Sequence, residues 1–85
     1  DLAVTLHRLG RLPEAVEAYR AALQRREDPE ARLGLSKALG ATGDLEGALT
    51  ALSGDDPTLR CARGQLLAHR MGRPEEAAPL LAACP

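Results

Sequence analysis

With 85 residues, 11 Lys and Arg against 12 Asp and Glu, the chain has room for one small domain, and its net charge of −1 offers no general attraction to nucleic acid or an anionic membrane. Ala and Leu supply sixteen residues each, Trp, Phe, Ile and Asn are absent, and Val4 and Val16 are the only β-branched aliphatics. That vocabulary favours helix and excludes a β fold.

Leu2, Leu6 and Leu9 recur at helical spacing and predict a first helix over about 1–9, stopped by Gly10. Pro13 suits the first turn of a second helix, about 13–26, with a stripe of Ala15, Tyr19, Ala22 and Leu23. The pair Asp28-Pro29 punctuates the chain before a third helix, about 30–42, which carries Leu35 and Leu39. Gly43 ends it, and Asp44 suits an N-cap for a fourth helix over about 45–53. After Asp56-Pro57 comes a fifth helix, about 58–71, with Leu67 and Met71 on one face and Gly72 beyond its end. Pro74 opens a sixth, about 75–83. Pro79 lies inside that last helix and cannot donate a backbone hydrogen bond, so the helix is expected to start late or to bend there.

The turns repeat. "HRLGR" at 7–11 returns as "HRMGR" at 69–73, and Gly10, Gly43 and Gly72 fall into register with steps of 33 and 29. Ala15, Ala48 and Ala77 each follow five residues later. Three helical hairpins result, over approximately 1–28, 29–56 and 57–85. Leu9 and Met71 are assigned to the core, while His and Arg before each glycine suit the negative end of a helix. A chain that starts at Asp1 without Met reads as a piece of something longer.

Catalytic and metal chemistry find little support. His7 and His69 sit two hairpins apart, on the order of 15–20 Å for helices packed side by side, too far for one zinc ion. No HxxxH, HExxH or CxxC spacing, GxSxG elbow or phosphate-binding glycine loop is present. The pairs Asp55-Asp56 and Glu75-Glu76 read as solvated surface, and no catalytic residue, cofactor or metal ligand is assigned. Ten arginines are offset by twelve acids, and Tyr19 alone could stack on a base, which disfavours nucleic acid. No apolar run is long enough to enter a membrane.

In its period, turn glycines, following alanines, Tyr19 and the prolines Pro29 and Pro57, the chain resembles the tetratricopeptide-repeat family. The first unit matches best, through Gly10, Ala15, Tyr19, Ala22 and Pro29. Arg32 and Cys61 depart from the pattern, each standing where a bulky residue is expected early in the first helix of a unit. The join "SGDDP" is about four residues short. The resemblance implies an all-α solenoid whose stacked hairpins form a concave groove, with another protein or peptide segment as ligand. Mapped onto this chain, the groove residues are Val4, His7 and Arg8, then Glu30, Leu33 and Lys37, then Ala62, Leu66, His69 and Arg70. With no Asn and only Lys37 as lysine, the family's clamp for a chain-terminal carboxylate is disfavoured. A second reading is a structural segment with no groove ligand of its own, which either spaces flanking domains of a longer chain or self-associates through apolar solenoid ends.

Cys61 and Cys84 fall at the adjacent ends of two antiparallel helices, so their sulfurs are expected to be neighbours. The resemblance places both among residues packed between the helices, and reduced core thiols are the default expectation, with a disulfide as the alternative if the Cα atoms approach within ~7 Å.

Overall fold

The computed structural model describes residues 2–85, which contain six α-helices and no strand. They are α1 Leu2–Arg8, α2 Leu12–Arg25, α3 Pro29–Ala41, α4 Leu45–Ala51, α5 Pro57–His69 and α6 Pro74–Leu81. Consecutive helices pair as α1–α2, α3–α4 and α5–α6, and the pairs stack through α2–α3, α3–α5 and α4–α5. The molecule is an all-α solenoid of antiparallel hairpins.

Local chemistry sets the boundaries. Both Asp-Pro pairs supply an N-cap and a first helical residue. Asp28 Oδ1 accepts from the Glu30 amide at 3.0 Å and Asp56 Oδ1 from the Thr58 amide at 2.8 Å, with Pro29 and Pro57 opening the helices. Asp44 caps α4 by accepting from the Gly47 amide at 2.9 Å. At the C-terminal ends, Gly10, Gly43 and Gly72 have φ of +79°, +95° and +66°, the left-handed conformation that glycine adopts without a Cβ penalty.

The two matching pentapeptides do not close identically. The Arg11 amide donates to Leu6 O at 2.9 Å and the Asp44 amide to Leu39 O at 3.0 Å, five residues back in each case. The Arg73 amide instead reaches Leu67 O, six back, at 2.8 Å. Helix α5 therefore stops at His69, three residues before its glycine, whereas α1 ends at Arg8, two before. Arg8 is helical; Arg70 is the residue after the helix.

The core runs through the first four helices, from Ala3 by way of Ala15, Val16, Tyr19, Leu35, Ala38 and Leu39 to Ala48 and Ala51, with Leu66 of α5 packed against it. Close approach of α2 and α3 depends on Gly34, where a Cβ would lie 2.4 Å from the Tyr19 ring. In the third hairpin Gly64 does the same, since a Cβ there would meet the Leu81 backbone nitrogen at 3.0 Å.

Several expectations are corrected. Leu9 does not face the core: it is 67% exposed, and Leu6, Leu39 and Leu67 point inward instead. Met71 is half-buried. The shortness of the second unit lies in its helix, because α4 has 7 residues against 14 in α2. Helix α6 does not start late; it begins at Pro74, carries Pro79 within it and ends at Leu81, after 8 residues.

The thiols are not reduced. Cys61 and Cys84 form a disulfide with a Cα–Cα separation of 4.8 Å, joining the first turns of α5 to the segment after α6. Arg32, the other departure from the repeat pattern, stands at the same register, eleven residues before its turn glycine. Its guanidinium donates to Ala51 O at 3.2 Å, at the end of α4, and pairs with the Glu27 carboxylate through Nε and Nη2. Each position thus ties the start of a unit's first helix to the end of its second, once by charge-assisted hydrogen bonds and once covalently. The hydrogen bond and charge of Arg32 hold the Glu27 carboxyl below its ordinary range, and Glu27 raises Arg32 in turn.

A trough between the third and fifth helices

Helices α3 and α5 run side by side in the same direction and leave two adjoining clefts between them. One, of about 300 Å³, lies toward their C-terminal ends, between Leu33, Ser36, Lys37 and Gly40 on one side and Ala62, Gln65, Leu66, His69 and Arg70 on the other. Leu52, 2% exposed, contributes to its floor. The second, of about 520 Å³, lies toward the N-terminal ends and shares Leu33, Lys37, Ala62 and Gln65. Its far wall is Pro57, Thr58 and Cys61 with Ala83 and Pro85, so the disulfide holds the last residues against the trough.

Six of the ten residues assigned from the sequence border this trough: Leu33, Lys37, Ala62, Leu66, His69 and Arg70. The other four do not. Glu30 lies exposed in the first turn of α3, beyond the clefts, and Val4, His7 and Arg8 are on α1, which packs on α2. Three helices lining one groove was the expectation; two helices line the trough. Ser36, Gly40, Leu52 and Gln65 were missed. Register held the signal for two of them, because Ser36 and Gln65 both fall seven residues before their turn glycine, between the assigned positions ten and six before it. Gly40 and Leu52 carry no side-chain chemistry that marks them in advance.

The polar groups differ in what holds them. Arg70 leaves the end of α5 and donates through Nη2 to Gly40 O at 3.2 Å, satisfying a carbonyl in the last turn of α3. Gly40 is buried because the guanidinium lies over it, 2.9 Å from where a Cβ would be. Arg70 is thereby a brace between the second and third hairpins as well as a lining residue. Lys37 and His69 are exposed and engage no ion pair or hydrogen bond among the described residues. A second brace joins the same two hairpins, where Arg73 Nη2 donates to Glu46 Oε1 at 3.2 Å.

Among the described residues no three His, Cys, Asp or Glu side chains are grouped to hold a metal ion, and no helix is long and apolar enough to cross a membrane. A family model for the tetratricopeptide repeat matches residues 6–65. No curated protein and no solved structure matches the chain.

Proposed function

The chain belongs to the tetratricopeptide-repeat family, whose repeats generally mediate protein–protein interaction, and on that premise we propose that it is a binding scaffold holding a segment of a partner protein in the α3–α5 trough. The observation that carries this reading is the trough itself: an apolar floor with Lys37 and His69 uncommitted at its rim. A concave, largely apolar surface with a few convergent polar groups is the usual form of a recognition site. The family is typically non-enzymatic, in keeping with a scaffold in three units, 1–28, 29–56 and 57–85. Backbone amide shifts of the chain, recorded by NMR with peptides selected from a random displayed library, test the proposal. Shifts concentrated on α3 and α5 are the expected result; shifts confined to α2, α4 and α6 would remove the trough as the site.

One observation favours a second reading, self-association. Leu2 and Leu9, seven residues apart and hence on one face of the first turn-and-helix, are 69% and 67% exposed. A weight-average mass that rises with concentration in sedimentation, and stays monomeric in Leu2→Gln/Leu9→Gln, would support it.

A further inference from the structure

Of the described Asp and Glu side chains, none borders either cleft of the trough, although the whole chain carries twelve acids and a net charge of −1. Most of these acids are engaged elsewhere. Glu14, Glu17, Glu27, Glu46 and Glu76 form ion pairs on the second helices of the hairpins or in linkers, and Asp28, Asp44 and Asp56 cap helices. Every charged or titratable side chain that faces the trough is basic: Lys37, His69 and Arg70. Arg70 spends one N–H on Gly40 O and keeps further donors, since a guanidinium has five.

The distribution along the trough is also uneven. Lys37 borders both clefts, while His69 and Arg70 border only the one toward the helix C-termini. Apart from Lys37, the other cleft is walled by uncharged side chains, among them Leu33, Pro57, Ala62 and Ala83. A ligand that satisfies both halves carries negative charge at one end and an aliphatic group at the other. Complementary potential of this kind selects partners and suppresses wrong ones, because like charges brought together in a cleft are costly.

We infer that the trough takes an internal acidic segment of another protein, its side-chain carboxylates over Lys37, His69 and Arg70 and an aliphatic side chain in the cleft beside the disulfide. This rests on the reading of the trough as the partner site. Side-chain carboxylates fit better than a single chain-terminal one because three cations, carried on two helices, surround the cleft toward the helix C-termini.

The test is selection from a displayed library of random peptides with no free C-terminal carboxylate, followed by anisotropy titrations of the enriched sequences with their C-termini amidated. The expected result is enrichment of Asp and Glu next to Leu, Ile, Val or Met. The affinity of such peptides is expected to fall at least about tenfold in Lys37→Glu and to weaken as salt rises. Lys37 is exposed and makes no hydrogen bond or ion pair among the described residues, so the variant is expected to retain the helices, checked by circular dichroism. If neutral or basic peptides are enriched and still shift α3 and α5 amides, the acidic ligand is wrong and the trough stands as the partner site. If the enriched peptides shift no α3 or α5 amide, or no sequence is enriched, both fail together.

Discussion

A methyl group at Gly34 would lie 2.4 Å from two atoms of the Tyr19 ring, and that ring is 6% exposed with little room to retreat. Gly34→Ala gains about 1 kcal/mol in helix propensity but overpacks the α2–α3 joint, for a net destabilisation of about 1–2 kcal/mol. Urea denaturation checks it, and in a Tyr19→Leu background the same substitution becomes neutral or favourable; an equal loss in both backgrounds would show that the ring is not the cause. Charge at the residue scale acts through Glu27. Its folded pKa is below the ordinary 4.5 because the Arg32 guanidinium stabilises the carboxylate. A depressed carboxyl contributes stability that is fully present above the unfolded pKa and is lost as pH falls through the folded value. The stability advantage of the parent over Glu27→Gln is therefore expected to be present at neutral pH and to shrink as the pH is lowered through and below the ordinary carboxylate range. A constant difference between the two proteins across that range would break the link to Glu27. The side chain is exposed, so the whole effect is small.

At the scale of the helix, the sequence was legible wherever the cause is local. Asp28, Asp44 and Asp56 cap within three residues, and the turn glycines act on their own φ, so all six helices lie within two residues of their expected ends. Causes that act across the chain were not legible. Nothing in the neighbourhood of Arg32 announces a carbonyl 19 positions away, nor does Arg70 announce Gly40, 30 positions back. The trough suffered for the same reason: its two walls are set by how α5 leans on α3, and α1 was given a share of it by analogy between units that do not stack alike. Pro79 belongs to this scale. It is exposed, so Pro79→Ala removes no buried surface, and the new N–H can bond the carbonyl four residues back. The substitution is expected to stabilise the chain by about 1–2 kcal/mol, part of the penalty for proline inside a helix. Slower amide exchange across α6 would report it. Unchanged exchange there would mean that the proline ring already fits this short helix without cost.

Across the whole molecule, burial is unequal. The continuous core spans α1 to α4 and receives from α5 only the partly buried Leu66, whereas the third hairpin keeps Leu59, Leu67 and Ala77 as its own buried apolar residues. In a stack whose units touch only their neighbours, stability is a sum of unit and interface contributions, and a thin terminal unit frays first. The Cys61–Cys84 disulfide acts on that unit alone, closing its two helices into a loop with a sequence separation of 23. By loop-closure entropy such a bond is worth about 3 kcal/mol. Reduction by a dithiol is accordingly expected to speed amide exchange in α5 and α6 by about two orders of magnitude, since each 1.4 kcal/mol is tenfold in the opening equilibrium. Amides of α2 and α3, held by the main core, keep their rates. Cys61→Ser/Cys84→Ser without reductant reproduces the pattern and excludes a direct effect of the dithiol. Uniform acceleration through all six helices would be the contrary result: the three hairpins would then unfold as one cooperative body, and the disulfide would stabilise the entire stack instead of its last unit.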